Sequence, residues 1–120
     1  MHVIQHHFPE PGAEPGLQRL RMAGAELGVA GFECWLLLLA PHASCEGRMQ
    51  AGEHALLVLQ GLGKLLLAGA PQRFSAPCTL LLPAFTEYKL VNQGTEPLQL
   101  LAVSGPAAAA TLPPAQGPSR

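Results

Sequence analysis

The stretch from Thr79 to Gly94 limits the possible folds of this chain more than any other feature of its sequence. An apolar run of strand length ends at Pro83, a short turn follows, and a second run over Glu87–Val91 leads into turn-forming residues at 92–94. Short apolar runs bounded by proline, asparagine and glycine are typical of β-strands joined by tight turns. The stretch therefore predicts two strands, each followed by a turn.

Runs with similar boundaries recur along the rest of the chain. Leu17–Met22 alternates imperfectly and fits either a strand or a helix, whereas Phe32–Leu39 is apolar at seven of eight positions and must be covered on both faces. A break is expected over Pro41–Gly47, and a tight turn over Gln60–Gly63 is expected to make a hairpin of the runs that flank it. The remaining predicted strands are His54–Leu59, Lys64–Leu67, a short segment at Arg73–Ser75, and Pro97–Val103.

The strand count sets the fold class and the domain boundaries. About seven to nine short strands, without a convincing long helix, predict an all-β antiparallel sandwich or small barrel. A chain of 120 residues that is 48% hydrophobic has room for one domain with a real core. We assign residues 17–103 to the barrel and residues 1–16 to an N-terminal arm in which Val3 and Ile4 form a possible edge strand. Residues 104–120, rich in alanine, proline and glycine, are predicted to be a disordered tail.

Charge and cysteine content exclude several classes of partner. With 12% charged residues and a net charge of -1, the chain offers neither a basic field for nucleic acid nor a polybasic patch for a membrane. The longest apolar run, Cys34–Ala40, is too short to cross a bilayer, and no signal-peptide pattern is found. The three cysteines lack the spacing of a disulfide framework or a zinc site. We therefore expect a soluble cytoplasmic protein with ordinary thiols.

Several predicted strands carry leucine on both faces, for example Leu36–Leu39 and Leu80–Leu82. One face fills the barrel, and the other would expose a larger apolar patch than monomers usually tolerate. The pattern predicts a homodimer joined face to face through the outside of a sheet, although it does not say which sheet.

The residues Pro83–Asn92 resemble the second conserved motif of the cupins, which is Pro-x-Gly-x-x-His-x-x-x-Asn. Proline and asparagine match, Phe85 stands at the glycine position, and Tyr88 stands at the histidine position. The resemblance extends over roughly Phe32–Val103. It implies a cupin-type double-stranded β-helix, a jelly-roll barrel with a pocket inside.

The first cupin motif is His-x-His, three or four residues, Glu, six residues, Gly. Anchoring its glycine on Gly61 puts His54 at the glutamate position. A three-residue spacer then places Arg48 and Gln50 at the two histidine positions, whereas a four-residue spacer places Gly47 and Met49 there. The spacing of the family is kept in this chain, but its signature residues are mostly replaced.

In metal-bearing cupins, the three histidines and the glutamate bind one divalent ion, so the resemblance also addresses the cofactor. Of Arg48, Gln50, His54 and Tyr88, only the histidine is a good ligand for a transition metal. The standard metal site is therefore predicted to be lost, and no cofactor is expected. The alternative is Fe, Mn, Ni or Zn held by His54 with Glu46, or with Glu53 if a one-residue bulge turns that side chain inward.

The same residues suggest a pocket for a small ligand. If His54 points inward, period two puts Leu56 and Val58 on the same face, which makes an apolar cavity. The polar cluster at its end suits a carboxylate, phosphate or enolate oxygen, and Phe85 is expected to narrow the barrel mouth. The polar cluster comprises Arg48, Gln50, His54 and Tyr88.

Three functions are therefore expected from the sequence, and none of them identifies the ligand. The first is a small cupin that binds an organic or anionic metabolite without metal, with His54 or Tyr88 as the candidate proton carrier if a reaction occurs. The second is a metal-dependent enzyme of dioxygenase or sugar isomerase type with a non-standard ligand set. The third is a dimeric domain whose barrel is filled by its own side chains.

Overall fold

The computed structural model describes residues 3–7, 9–12, 14–49, 52 and 54–105. This part of the chain folds into antiparallel β-strands, with a single 3-10 turn at Ala25–Leu27. The prediction of an all-β antiparallel fold is confirmed. In chain order the strands are β1 Glu10–Pro11, β2 Leu17–Ala23, β3 Glu33–Leu39, β4 Ser44–Arg48, β5 His54–Gln60, β6 Leu62–Leu67, β7 Ala70–Ser75, β8 Cys78–Leu82, β9 Glu87–Asn92 and β10 Leu98–Ser104.

The strands form two sheets whose inner faces meet. The six-stranded sheet has the order β1-β2-β3-β10-β5-β8, and the four-stranded sheet has the order β4-β9-β6-β7. The chain passes from one sheet to the other between β3 and β4, β4 and β5, β5 and β6, β7 and β8, β8 and β9, and β9 and β10. Repeated crossing of this kind is the jelly-roll arrangement, in which most sequence neighbours are not strand neighbours.

Leucine side chains from both sheets fill the space between them. Leu39, Leu98 and Leu100 of the six-stranded sheet meet Leu65 and Leu90 of the four-stranded sheet, and each is at most 2% exposed. Because successive side chains on a strand alternate between faces, every second residue of the leucine-rich strands contributes to this core. The residues between them point outward, so each leucine-rich strand contributes side chains both to the core and to the outer face of its sheet.

A buried asparagine joins the two sheets at one end of the barrel. Asn92, at the end of β9, is completely buried. Its Nδ2 donates to the carbonyl of Leu39 on β3 at 2.9 Å and to the carbonyl of Glu96 at 2.8 Å, while its Oδ1 accepts from the Gly94 N–H at 2.8 Å. Burial of an amide requires such partners, and here the side chain also bridges the sheets.

Two local predictions were wrong: the hairpin, which assumed that neighbouring runs pair with each other, and the break, which was predicted from turn-forming residues alone. Gly61 is the one residue between β5 and β6, and it carries the chain from the six-stranded to the four-stranded sheet with φ 103. The strand β6 therefore pairs with β7 and β9 instead of forming a hairpin with β5. The predicted break over Pro41–Gly47 contains β4, which pairs with β9.

The N-terminal arm contributes a strand, but not at the expected place. Val3 and Ile4 lie outside any strand, whereas Glu10 and Pro11 pair with β2 at the edge of the six-stranded sheet. Proline is tolerated there because an edge strand leaves backbone N–H positions unpaired. The last strand ends at Ser104, and residues 106–120 of the predicted tail lie outside the described residues. No helix of the described chain is long and apolar enough to cross a membrane.

Candidate functional site

The candidate site lies where two loops connect the sheets, and we call this end of the barrel the loop end. Here β4 is followed by residues 49–53 and then β5, while β8 is followed by residues 83–86 and then β9. The N–H of Met49 donates to the carbonyl of Thr86 at 2.9 Å, which ties the two loops together. The positions of both cupin motifs meet at this end.

The strand register decides which motif residues face the barrel interior. Cys45 on β4 pairs with Leu90 on β9, and both are buried in the core. Two residues further on, Gly47 pairs with Tyr88, so these two positions also face inward. Met49 packs against the core as well. The four-residue spacer is therefore the one that the fold uses, and the inward positions are Gly47, Met49, His54 and Tyr88.

The structure does not bring Arg48 into the barrel, contrary to the placement expected from a three-residue spacer. Arg48 pairs with Glu87 across the ladder, and its Nη1 lies 3.9 Å from a Glu87 carboxylate oxygen. Both side chains are largely exposed, at 58% and 76%. A one-residue difference in register turns a side chain to the opposite face, which accounts for the error. Gln50 and Glu53 lie outside the described residues, so their roles stay predictions.

Tyr88 fills space that a side chain at position 47 would otherwise take. A Cβ built on Gly47 would lie 3.1 Å from the hydroxyl of Tyr88. The ring is half-buried, and burial raises the pKa of Tyr88, with the nearby Cys45 and Glu14 acting in the same direction. The phenol therefore stays protonated and serves as a hydrogen-bonding group more readily than as a base.

The inward residues do not fit a divalent transition metal. Gly47 has no side chain, Met49 offers a soft thioether, and Tyr88 is held in its neutral form, which leaves His54 as the one good ligand of the four. Glu46 faces outward on β4, so the structure does not bring it to His54 on the other sheet. Among the described residues, no group of three or more histidine, cysteine or acidic side chains is placed to hold a metal.

Phe85 occupies the position where the family has glycine, and its backbone shows why glycine suits it. Its φ is 58, in the left-handed region that residues with a Cβ rarely adopt. The side chain is 52% exposed beside the loop end. Leu56 and Val58, which were expected to line a pocket, are 6% and 1% exposed and belong to the packed core.

An apolar cavity of about 710 Å³ opens at the loop end on the side of the six-stranded sheet. Its wall includes Ala55, Leu81 and Val103, which are paired across three strands and face outward from the sheet. His54 and Ser104, which pair with each other at the strand ends, supply its polar side chains. The other lining residues are Phe32, Gly52, Leu82, Pro83, Ala84 and Gly105.

A second cavity, of about 580 Å³, lies at the loop end on the side of the four-stranded sheet. Arg48 and Tyr88 both line it, so the predicted cluster is divided: these two residues share one cavity and His54 lines the other. The residues that line this second cavity are Glu46, Gly47, Arg48, Leu66, Gly69, Glu87, Tyr88 and Lys89. Its cationic side chains are balanced by acidic ones on the same wall.

Of the residues that line the apolar cavity, His54 was predicted from the sequence and the others were not. Alternation along β5 places Ala55 on the opposite face to His54. The side chain of Ala55 is smaller than those of its two neighbours in the strand, and this is the one local signal for a cavity. The neighbours that complete the wall, Leu81 and Val103, reach Ala55 through pairing of β5 with β8 and β10. Such long-range pairing carries no local sequence signal.

Comparison with known proteins identifies the fold. No protein-family model matches the sequence, and no curated protein matches it significantly. Among solved structures, salicylate 1,2-dioxygenase from Pseudoaminobacter salicylatoxidans, in adducts with gentisate, is 17% identical with a TM-score of 0.73. The match covers 84% of this chain and 28% of that one, so this chain spans less than a third of the dioxygenase.

Two further solved structures are similar over more of their own length. KdgF from Halomonas sp. is 19% identical with a TM-score of 0.70, over 88% of this chain and 94% of that chain. The Cnp3 cupin domain of Schizosaccharomyces pombe is 12% identical with a TM-score of 0.67, over 85% and 69% of the two chains. The protein therefore has the cupin fold. That fold hosts many unrelated activities, so function has to be argued from the site.

Proposed function

We propose that this cupin-fold protein binds a small organic molecule without a resident metal, and that the ligand occupies the apolar cavity beside His54. The observation that carries the proposal is the composition of the cavity wall. Phe32, Leu81 and Val103 present apolar surface, while His54 and Ser104 stand together at one end. A largely apolar pocket with a few convergent polar groups is the usual form of a small-molecule site.

The wall also limits the class of ligand. Its described side chains include neither an arginine nor a lysine, so a doubly charged phosphate would find no counter-charge there. The imidazole of His54 and the hydroxyl of Ser104 can each donate or accept a hydrogen bond. These features favour an aromatic or alicyclic molecule with one hydroxyl or one carboxylate at its end, and they disfavour a sugar phosphate.

Metal independence is supported by the chemistry of the inward residues. A metal-dependent activity would need several good ligands at the positions of Gly47, Met49, His54 and Tyr88, and one imidazole cannot supply them. His54 is also the side chain in the apolar cavity that can carry a proton, so it remains the candidate catalytic residue if the ligand is transformed. Tyr88 borders the other cavity and is the less suitable candidate.

The test uses two aromatic probes, 2-naphthoate and 2-naphthalenemethanol, with glucose 6-phosphate for comparison. Titration calorimetry is expected to show one saturable site per chain for at least one aromatic probe and no binding of the sugar phosphate. Ala55→Phe should fill the cavity and weaken binding by roughly tenfold or more, because the outward ring would take the place of the ligand.

Thr79→Phe is the matched control, because Thr79 also faces outward from the six-stranded sheet and does not line the cavity. It should bind the probe like the unmodified protein, and protein pre-treated with EDTA should do the same. Equal binding by both variants would contradict the assignment of the cavity. Loss of binding on EDTA treatment, restored by one equivalent of iron, manganese, nickel or zinc, would contradict metal independence.

A further inference from the structure

We propose that the outer face of the four-stranded sheet binds an extended acidic segment of another protein, with Lys64 and Arg73 at the centre of the contact. These two residues lie directly opposite each other in the register of β6 with β7. Their strand neighbours Leu65 and Phe74 pack into the core, so both cationic side chains point outward. Directly opposite residues have Cβ atoms about 5 Å apart, which brings the two positive charges side by side.

A third cation, Lys89 on β9, lies beside this pair. It points outward two residues along from Val91, the direct partner of Lys64, and is therefore a diagonal neighbour of Lys64. The acidic residue opposite Lys89 is Glu46 on β4, on the side away from β6. Within the described part of the chain, none of the three cations forms an ion pair with a carboxylate. We call Lys64, Arg73 and Lys89 the basic cluster.

The basic cluster is unfavourable for the isolated fold, because like charges directly opposite each other across two strands repel. Edge strands often carry charge that prevents pairing with other chains, and this accounts for Arg73 on the edge strand β7. Lys64 lies on β6, which is paired on both sides, so protection of an edge does not account for it. A positive charge at this position is explained if it meets a negative charge from outside the chain.

The distribution of charge also favours an acidic partner. Among the described residues, four arginine or lysine side chains and two glutamates point outward from the four-stranded sheet, which gives this face a net charge of +2. The whole chain has a net charge of -1, so the positive face stands against a negative remainder. Such a face attracts acidic surfaces and repels basic ones.

Apolar side chains on either side of Lys64 define the form of the segment. Leu62 and Leu66 point outward from β6 two residues before and after Lys64, and Leu62 is 45% exposed. Leu66 also lines the cavity of about 580 Å³, which offers space for a side chain. An extended segment along β6 presents every second residue to the sheet. We therefore expect an acidic residue over the basic cluster, with apolar residues two positions away on both sides.

A protein segment fits this face better than a nucleic acid does. Glu46 and Glu87 point outward on the same sheet and would repel a phosphate backbone that continued across it. None of the described residues that point outward from β4, β6, β7 or β9 is aromatic, so unpaired bases would find no ring on which to stack. A single carboxylate, in contrast, can accept from the Lys64 ammonium and the Arg73 guanidinium together.

The test measures the fluorescence anisotropy of a labelled peptide of about nine residues, centred on the sequence leucine-serine-glutamate-serine-leucine. A peptide with glutamine in place of the glutamate is the control ligand. The salt concentration is about 0.15 M, so that charges more than about 8 Å away are largely screened. The unmodified protein is expected to bind the glutamate peptide with a dissociation constant on the order of 10 to 100 µM, and the glutamine peptide about tenfold more weakly.

Arg73→Glu separates binding from folding. It replaces a pair of like charges by a pair of opposite charges, so the midpoint of thermal unfolding should rise by about 2 to 4 °C. Binding of the glutamate peptide should nevertheless weaken roughly tenfold or more. Arg19→Glu is the matched control, because Arg19 is also exposed but lies on β2 of the other sheet. This variant makes the same change in net charge and should alter peptide binding by less than about twofold.

Four outcomes would overturn the proposal. These are no saturable binding of the glutamate peptide up to about 1 mM, equal binding of the glutamine peptide, equal losses for Arg73→Glu and Arg19→Glu, and binding of an oligothymidylate of the same length as tightly as the peptide. If circular dichroism shows that Arg73→Glu does not fold, Arg73→Gln replaces it. Ala55→Phe should leave peptide binding unchanged, so this proposal and the proposed small-molecule site can fail independently.

Discussion

The outer faces of the two sheets differ in polarity, although their inner faces form one core. Both sheets contribute leucine to one shared core, and their inner faces are chemically alike. Outward from the four-stranded sheet, β9 and β4 present Glu87, Lys89, Glu46 and Arg48, whereas β3 and β5 of the six-stranded sheet present mainly leucine. The same alternation therefore produces one outer face that is charged and one that is mainly apolar.

This difference shows that a strand has to be interpreted one face at a time. In β9, Leu90 and Asn92 are buried while Lys89 is exposed, which is the alternation of a half-solvated sheet. In β3, the residues on both faces from Cys34 to Leu38 are only partly exposed, although the second sheet covers only one face. Alternation between buried and exposed residues is therefore clear in β9 and absent from β3.

The largest effect is expected from removing the side-chain hydrogen bonds of Asn92, which join the two sheets. Asn92→Ala is expected to lower the free energy of unfolding by about 2 to 4 kcal/mol, because it leaves the carbonyls of Leu39 and Glu96 and the N–H of Gly94 without their partner. The measurement is urea denaturation at a fixed protein concentration, with the molar mass of the unmodified protein and of the variant compared by light scattering.

Gln93→Ala serves as the control, because Gln93 is the exposed neighbour of Asn92. It should change the free energy of unfolding by less than about 0.5 kcal/mol. A loss below about 1 kcal/mol for Asn92→Ala would mean that the sheets are joined by leucine packing alone. The two outer faces would then belong to layers that are less firmly linked than the hydrogen bonds of Asn92 suggest.

The parts of the fold that were predictable from the sequence are those in which local signals act alone. Pro83 and the turn after it separate β8 from β9, and short runs bounded by turn-forming residues identified β5, β9 and β10 within one or two residues at each end. The match of Pro83 and Asn92 to the cupin spacing supplied the topology that local signals could not. Asn92 also shows why the spacing matters, since its amide must reach a carbonyl of the other sheet.

The remaining features depend on contacts between residues that are distant in the sequence. Whether Gly47 or Arg48 faces inward depends on the register of β4 with β9, and the two spacers of the motif differ by the one residue that reverses it. His54 on β5 and Tyr88 on β9 line different cavities, and this separation also depends on how the two sheets pack together. Composition and periodicity contain no information about either arrangement.

A second prediction examines the boundary between the charged outer face and the core beneath it. Cys45 lies inward on β4 next to the outward Glu46, and burial, with a smaller contribution from the Glu14 carboxylate, raises the pKa of its thiol to about 11. In the unfolded chain the thiol ionises near its ordinary pKa of about 8.5. Stability from this group is therefore complete below that pH and is lost as the pH rises towards 11, by about 3 kcal/mol in all.

The measurement is the free energy of unfolding at pH 8 to 11, compared between the unmodified protein and Cys45→Ala. The variant should show a shallower fall, because one ionisable thiol is removed while Tyr88 continues to titrate. Only the slopes are compared, since Cys45→Ala also leaves a small cavity. Equal slopes would show that the thiol is solvated and that the core does not extend to β4.

The smallest effect is expected for Arg48 on the four-stranded sheet, and it is compared with the effect of replacing Arg21 on the six-stranded sheet. Arg48→Ala removes an ion pair with an N–O distance of 3.9 Å between exposed side chains, and it should cost less than about 0.5 kcal/mol. Arg21 is less exposed, at 27%, and contacts Glu26 at 2.8 Å, Glu33 at 3.2 Å and the ring of Trp35. Arg21→Ala should therefore lower the free energy of unfolding by about 1 to 2 kcal/mol, because it removes both ion pairs and the guanidinium that covers the ring of Trp35.

Arg21→Lys distinguishes stacking from charge at this position. Lysine keeps the charge but lacks the planar guanidinium, so most of the cost of Arg21→Ala should remain, whereas Arg48→Lys should be neutral. Urea denaturation at a fixed protein concentration measures the free energy of unfolding of all four variants. If Arg21 proved as replaceable as Arg48, its contacts with Glu26, Glu33 and Trp35 would contribute no more to stability than an exposed ion pair.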